Sequence, residues 1–203
     1  MQNNEKKIVE AAVHYIEALF QNNADGHDAA HSLRVYHNTM AILDAELSCG
    51  AACSDGVEPC DEEVIALAAL LHDVDDHKLF QTENNANARL FLTEQEVPAE
   101  KIELICEVIN GVSFSKNRGK RPATLEGKIV QDADRLDALG AIGIARTFAY
   151  GGKHGRSLDA SVEHFYEKLL LLKDEMNTDG ARKMAEERHA FLEAFLDEYK
   201  KES

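Results

Sequence analysis

Hydrophobic residues recur every three or four positions along most of the chain, the spacing that places them on one face of an α-helix. Residues 5–22 show this pattern plainly, with apolar side chains at Ile8, Val9, Ala12, Val13, Ile16, Leu19 and Phe20. The spacing predicts eight further helices, at about 28–47, 61–73, 84–92, 98–110, 125–139, 141–149, 161–175 and 179–200. No segment shows the alternation of period two that predicts a β-strand. The sequence therefore predicts an all-α fold, a compact multi-helix bundle that ends in two long helices.

Several helix ends are marked by the residues that favour them. Asp28 and Asp61 precede apolar helical runs and are predicted N-caps, and the fourth helix begins at Thr82 or Asn84. Pro98 begins the fifth helix, and Gly111 is the predicted residue just after its end. A glycine-rich stretch at 151–156 predicts a loop before the last two helices.

The segment from Val64 to Leu71 is apolar on every side, so the helix it forms is predicted to be buried at the centre of the fold. His72 and Asp73 follow it directly. Charged side chains are almost never buried without a partner. A divalent cation is the natural partner for an adjacent imidazole and carboxylate, so the rest of the chain should supply further ligands.

Composition narrows the classes of partner. The 203 residues are 44% hydrophobic, which suits one domain with its own core, predicted over 1–203 with a core at about 5–150 and a C-terminal helical part at 157–200. Lysine and arginine number 22 against 37 aspartate and glutamate, a net charge of −15. Such a surface repels nucleic acid and anionic membranes but is compatible with a small phosphorylated substrate. No apolar run is long enough for a signal peptide or a membrane span, so the expected location is the cytoplasm.

Cysteine usage agrees with a reducing compartment. Cys49, Cys53 and Cys60 cluster in one predicted loop, which raises the alternatives of a structural zinc site or a disulfide. Their spacing does not match a zinc knuckle, and no fourth ligand is evident. Free thiols are the expected state.

Candidate metal ligands stand on three predicted helices. His31 lies in the first turn of the second helix, His72 and Asp73 end the third, and the sixth carries further aspartates. Asp134 and Asp137 are three apart and share a helical face, whereas Asp132 points about 160° away from Asp134 around the helix. Two imidazoles and two carboxylates suit Mn, Mg, Fe, Ni or Zn with room for water.

The ordered set His31, His72-Asp73 and Asp134 resembles the H…HD…D signature of the HD superfamily of metal-dependent phosphohydrolases. Flanking residues match too, in Asp28-x-x-His31-x-x-Arg34-Val35 and Asp132-Ala-Asp134-Arg-Leu-Asp137-Ala-Leu-Gly140. The C-terminal third is similar to a bacterial branch of small stand-alone HD hydrolases, through Tyr150-Gly-Gly, His164-Phe-Tyr-Glu-Lys168 and Ala185-Glu-Glu-Arg-His189. The resemblance covers nearly the whole chain.

The resemblance implies one divalent ion held by His31, His72, Asp73 and an acidic residue of the sixth helix. Asp134 is the choice because the Ala-Asp-Arg-Leu context is similar to the ligand segment of HD enzymes that hydrolyse guanosine tetraphosphate; Asp132 is the alternative. Asp137 then supports the ligands or positions water. A second metal would need further histidines, and His77 is the one close candidate, so a single ion is expected.

The residues that follow the ligand pair are candidates for catalysis. Asp75, Asp76 and His77 resemble an acidic segment of related hydrolases, which implies Asp76, or else Asp75, as the base that orients water. Lys78 is a candidate phosphate contact. The alternative for all of them is a solvated turn.

Two basic loops interrupt an otherwise acidic sequence. Candidate substrate-binding residues are Lys116 and Lys120 in the first loop and Lys153 and Arg156 in the second, together with Arg34, which would reach substrate or brace Asp73. The expected activity is hydrolysis of a nucleotide, a nucleoside triphosphate giving a monophosphate and pyrophosphate. Alternatives are a nucleotide monophosphatase or phosphodiesterase, a non-catalytic nucleotide-sensing module, and a plain helical interaction domain without metal. Sequence leaves a homodimer open.

Overall fold

The computed structural model describes residues 3–21, 28–48, 60–113, 117 and 119–203, and within these residues all regular structure is helical. In chain order the α-helices are α1 (Asn3–Leu19), α2 (Ala29–Ser48), α3 (Glu62–Leu71), α4 (Ala86–Glu94), α5 (Ala99–Val112), α6 (Leu125–Asp137), α7 (Gly140–Lys153), α8 (Leu158–Glu167) and α9 (Asp179–Glu202). A 3₁₀ segment, Leu169–Glu175, joins α8 to α9. The predicted all-α class is confirmed. None of the described helices is long and apolar enough to cross a bilayer.

Helix α3 lies at the centre of the bundle, as its apolar sequence predicts. Every residue from Glu63 to Leu71 is buried, and α1, α2, α5 and α6 pack around the helix. Asp61 caps its N-terminus by accepting hydrogen bonds from the backbone N–H groups of Glu63 and Val64, while Lys101 pairs with both Asp61 and Glu63. The cap and the ion pairs satisfy the polar groups at the buried start of the helix. His72 and Asp73 are thereby delivered to the middle of the fold.

The predicted start of the fourth helix at Thr82 or Asn84 is wrong, because α4 begins at Ala86 after Asn85. The predicted ends of α5 and α7 are also wrong, and both helices continue further. Helix α5 continues past Gly111 to Val112, which is 2% exposed and belongs to the core. Helix α7 continues through the predicted loop as far as Lys153. A Cβ at Gly151 would lie 2.3 Å from Ser161 Oγ, so this glycine permits close contact between α7 and α8.

The predicted helix 161–175 is broken at Lys168, whose φ of −138° and ψ of −59° end α8. Four consecutive leucines follow, at 169–172. An α-helix would spread these four side chains around its circumference, whereas a 3₁₀ turn aligns residues three apart. Leu169 and Leu172 are accordingly both buried, and Leu171 is exposed.

Helix α9 is fixed to the centre of the bundle by buried polar contacts. Glu46 accepts a hydrogen bond from the backbone N–H of Gly180 at 2.6 Å. Arg188 donates to the carbonyl of Leu136 at 2.7 Å and to Asn38 Oδ1 at 2.8 Å. These contacts join α9 to α2 and α6, two of the three helices that carry candidate ligands.

Candidate metal centre

Four candidate ligands from three helices meet at one point, here called the donor site: His31 of α2, His72 and Asp73 at the end of α3, and Asp134 of α6. His31 Nε2 lies 3.3 Å from His72 Nε2, 3.5 Å from Asp73 Oδ2 and 3.4 Å from Asp134 Oδ1. His72 Nε2 lies 3.4 Å from Asp73 Oδ2 and 4.0 Å from Asp134 Oδ1. Ligand atoms of His31, His72 and Asp134 all fall within 4.8 Å of one another.

The spacing of the donor atoms fits a shared ion. Ligands held about 2.0–2.2 Å from one ion, at right or tetrahedral angles, lie roughly 2.8–3.6 Å apart. Of the separations given above, only the 4.0 Å between His72 Nε2 and Asp134 Oδ1 exceeds that range. The donor set, two imidazoles and two carboxylates, is one that divalent metals accept.

The tautomers of both histidines are fixed by their other ring nitrogen. His31 Nδ1 lies 2.7 Å from Asp137 Oδ2, and His72 Nδ1 lies 2.8 Å from the carbonyl oxygen of Ala69. Because a carboxylate and a carbonyl only accept, each Nδ1 is the donor, and each neutral ring presents a lone pair at Nε2. Two lone pairs and two carboxylates then face each other at close range, an arrangement that a bound cation stabilises.

The electrostatics of the donor site favour positive charge. Burial lowers the pKa of His72, but the carboxylates of Asp73 and Asp134 outweigh it and raise that pKa to about 9. The pKa of His31 is raised in the same way by Asp134, Asp137 and Asp73 against the effect of burial. Burial would raise the pKa of Asp134, yet its contacts with the two histidines leave it lowered. The site therefore binds protons where it holds no metal.

Asp137 organises the layer behind His31. Its side chain is 2% exposed, and it accepts hydrogen bonds from Arg34 Nε at 2.6 Å and Arg34 Nη2 at 3.1 Å. Arg146 of α7 donates to the same carboxylate, and its Nη1 lies 3.3 Å from His31 Nδ1. Burial opposes ionisation, but His31 and the two arginines hold the pKa of Asp137 well below its usual range. Arg34 thus braces Asp137 rather than Asp73.

Two basic residues near the donor site were missed by the sequence analysis. Lys168 is half-buried, and its pKa is lowered by burial and by the positive charges of Arg146, Lys78 and Arg135, while Asp134 raises it. Lys168 therefore interacts electrostatically with Lys78, with Arg146 and with the candidate ligand Asp134, and the three basic residues are here called the cation cluster. Arg146 had a signal in the sequence, since it is the lone charged residue between Ala138 and Gly152.

The remaining acidic candidates have different contacts. Asp75 accepts hydrogen bonds from the backbone N–H groups of Asn87 and Ala88, both at 3.0 Å, and so caps the first turn of α4. Asp76 uses Oδ1 to accept from the backbone N–H of Lys78 at 2.8 Å. His77 is exposed, with its Nδ1 4.0 Å from Asp76 Oδ1. The structure therefore gives Asp75 a structural contact at each oxygen.

Asp132 lies apart from the donor site. Its oxygens accept hydrogen bonds from the backbone and side chains of Asn177 and Thr178 at 2.8–3.0 Å. Thr178 is the N-cap of α9, so Asp132 anchors the start of that helix. Of the two acidic alternatives in α6, it is Asp134 that meets the histidines.

The basic-loop candidates that the structure describes are exposed. Lys116 lies outside the described residues, as do Cys49 and Cys53 of the predicted cysteine loop. Lys120 is exposed on the connection between α5 and α6, and Lys153 and Arg156 are exposed at the end of α7. Cys60 is a free thiol whose pKa is raised to about 12 by burial and by Glu126 and Asp61.

Similarity to other proteins agrees with this geometry. The chain is 38% identical over 207 residues to the Bacillus subtilis protein YpgQ, covering 98% of this chain and 95% of that one. The structure of YpgQ in complex with ADP superposes with a TM-score of 0.78 and 31% identity, covering 98% and 97% of the two chains. The structure of an HD-superfamily hydrolase from Bacillus thuringiensis superposes with a TM-score of 0.76 and 38% identity, at the same coverage. Residues 28–139, which include all four candidate ligands of the donor site, match the HD domain. The chain belongs to the HD-domain family, and it is a metal-dependent phosphohydrolase.

Proposed function

We propose that this phosphohydrolase acts on nucleotides and converts a nucleoside triphosphate to a monophosphate and pyrophosphate. The observation that carries the proposal is the cation cluster beside the donor site. In a chain of net charge −15, Lys168 interacts electrostatically with Asp134 and with two further cations, Lys78 and Arg146. Lys78 is exposed and Arg146 is paired with Asp137, but the half-buried Lys168 would be stabilised by an anion bound beside it. A polyphosphate carries more negative charge than one divalent ion neutralises.

The nucleotide part of the proposal is supported by a relative. YpgQ, similar along nearly its whole length, was solved in complex with ADP. A diphosphate attached to a nucleoside is the kind of ligand that a metal and a neighbouring group of cations suit. The same chemistry in this chain makes a nucleotide the favoured substrate class.

Different residues of this chain have different roles in the proposed hydrolysis. A bound divalent ion supplies Lewis-acid chemistry, polarising phosphoryl oxygens and making a coordinated water more acidic. Lys78 and Lys168 are placed to offset the negative charge that builds on the phosphate as water attacks. Arg34 and Arg146 hold Asp137, which in turn holds the proton of His31 at Nδ1.

Asp76 is the proposed base that orients the attacking water. Its Oδ1 is occupied by the backbone N–H of Lys78, and among the described residues its Oδ2 accepts no hydrogen bond. Asp75 has both oxygens engaged at the start of α4. The adjacent carboxylates thus give a matched pair: one with an oxygen available for water and one fixed in a cap.

The product analysis tests the reaction. Protein loaded with Mn²⁺ is incubated with each nucleoside triphosphate, and pyrophosphate and orthophosphate are quantified separately. Equal amounts of pyrophosphate and nucleoside monophosphate are expected. Orthophosphate alone would overturn the pyrophosphatase form and favour a monophosphatase or phosphodiesterase.

The Asp75/Asp76 pair tests catalysis against sensing. We expect Asp76→Asn to lower kcat by about 10²–10⁴-fold, the usual contribution of a general base, while nucleotide affinity is retained. Asp75→Asn is expected to lower the melting temperature and leave kcat of the folded enzyme nearly unchanged. A wild-type protein that binds nucleotide without any turnover would instead be a sensing module.

A further inference from the structure

A stacked pair of aromatic rings, here called the aromatic platform, lies exposed at the C-terminal end of α7. The rings of Tyr150 and His154 have centroids 3.9 Å apart and planes inclined by 22°. His154 Nδ1 donates to the carbonyl oxygen of Tyr150 at 2.8 Å, which holds the imidazole against the phenol ring. Tyr150 is nevertheless 46% exposed. A surface ordered in this way loses little conformational entropy when a flat ligand stacks on it.

The backbone that follows the platform is folded tightly back on α7. Gly155 adopts a φ of +67°, which favours glycine, and the N–H of Arg156 donates to the carbonyl of Gly151 at 2.9 Å. This turn brings the guanidinium of Arg156 over the Tyr150 ring, 5.2 Å from its centroid. The platform therefore combines aromatic faces with a cation, a combination that binds nucleobases.

Helix α7 connects the platform to the donor site. Arg146 and Tyr150 are four residues apart, so they share a face of the helix about 6 Å apart along its axis. Arg146 contacts Asp137, with its Nη1 3.3 Å from His31 Nδ1. Phe148 lies on the opposite side and packs against the buried ring of Phe165. Tyr150 thus lies on the same side of α7 as Arg146, which contacts Asp137 behind His31.

Helix α8 provides a second connection between the platform and the donor site. Burial lowers the pKa of His164, and the positive charges of Lys168 and Arg156 lower it further, against the opposing effect of Glu167. Lys168 in turn interacts with Asp134 of the donor site. Lys168 therefore interacts electrostatically with both Asp134 and His164, and Arg156, which also acts on His164, lies over the Tyr150 ring.

We propose that the nucleobase of the substrate stacks on Tyr150 and His154 while its phosphates occupy the donor site and the cation cluster. This inference rests on the proposed function and names the part of the chain that recognises the nucleoside. Stacking tolerates every base because each base has an aromatic face. We therefore expect weak discrimination among bases and a clear preference for nucleotides over base-free polyphosphates.

The test compares two ligands that share two linked phosphates. Affinities of the Mn²⁺-loaded protein for ADP and for inorganic pyrophosphate are measured by calorimetry in wild type and variants. Tyr150→Ala is expected to weaken ADP binding by about tenfold or more, from the loss of one base–aromatic stack, and to leave pyrophosphate binding unchanged. Tyr150→Phe keeps the ring and should retain ADP affinity, and His154→Ala should weaken ADP binding alone.

Tyr166 of α8 is the matched control, because it is 47% exposed, against 46% for Tyr150. Tyr166→Ala should change neither affinity. The inference is overturned if Tyr150→Ala leaves ADP binding intact or weakens both ligands equally. Hydrolysis separates the two proposals: a nucleotide bound through Tyr150 without turnover contradicts the proposed function alone, whereas turnover with unchanged affinity in Tyr150→Ala contradicts the platform alone.

Discussion

Asp132 and Asp134 stand two residues apart on α6, but their carboxylates meet opposite kinds of neighbour. Asp132 is surrounded by N–H and O–H donors of Asn177 and Thr178, at 2.8–3.0 Å. Asp134 faces His31 Nε2 at 3.4 Å and His72 Nε2 at 4.0 Å, atoms that present lone pairs when the rings are neutral. A buried carboxylate with enough donors needs no cation, whereas one facing other acceptors does.

The first and largest expected effect comes from Asp134→Asn. Removing one ligand charge should abolish binding of a divalent ion at micromolar concentration and lower phosphohydrolase activity by at least about a thousandfold. The metal-free protein should keep its helicity, because the change also relieves repulsion at the donor site. Elemental analysis, activity assays and circular dichroism measure the three quantities. Full metal content in this variant would contradict the assignment of Asp134.

Asp132→Asn should have the opposite effect to Asp134→Asn: a loss of stability without a loss of metal or activity. An amide replaces an acceptor that satisfies two backbone N–H groups and two side chains, so we expect a loss of about 3 kcal/mol in the free energy of unfolding. In a chain of this length, that loss corresponds to a melting temperature lower by roughly 6–12 °C. Metal content and kcat of the folded fraction should match wild type. A stable variant that has lost its metal would reverse the roles of the two aspartates.

Asp137→Asn should produce an intermediate effect, since Asp137 acts through His31. We expect divalent-ion affinity to fall by about 10–100-fold, the usual consequence of losing a partner that orients a ligand. The decrease should appear in calorimetric titration of the chelator-treated protein with Mn²⁺. Glu103→Gln, which removes an exposed carboxylate paired with Arg89, is the control and should leave metal affinity unchanged.

The smallest expected effect is the pH dependence of metal affinity. The pKa of His72 is raised to about 9, so below that pH the metal-free site retains a proton that must leave before the imidazole binds an ion. Affinity should therefore rise by about tenfold per pH unit from pH 7 towards 9 and level off above that pH. Calorimetry in buffers of different ionisation enthalpy counts the released protons; zero release at pH 7 would contradict this account.

The positions of the candidate ligands on α2 and α3 were predictable because local rules place them. Asp28 caps α2 through the N–H of His31 at 2.7 Å, and the apolar run before His72 fixes the position of α3. Helical periodicity alone left Asp134 and Asp132 as alternative metal ligands. Asp134 was preferred because its sequence context resembles that of the HD superfamily. The spacing of residues along α6 does not reveal that Asp132 contacts Asn177, which is 45 residues away in the sequence.

The cation cluster and the break in the predicted helix 161–175 at Lys168 were not predictable in the same way. Lys168 becomes part of the site because α8 ends there and four leucines continue as a 3₁₀ segment, an outcome decided by burial of Leu169 and Leu172. Arg146 acts through Asp137 in another helix. Both depend on tertiary packing between α6, α7 and α8, which sequence periodicity does not specify.

The contact at Gly151 provides a position at which substrate specificity can be changed by substitution. Helices α7 and α8 carry Arg146 and Lys168, and their spacing depends on a missing methyl group, because a Cβ at Gly151 would lie 2.3 Å from Ser161 Oγ. Ser161 Oγ is itself held by the carbonyl of Ser157 at 3.0 Å, so it does not yield freely. Substitution of Gly151 by larger residues is therefore the first change to try for a wider opening that admits bulkier phosphoesters, because it leaves the candidate ligands unchanged.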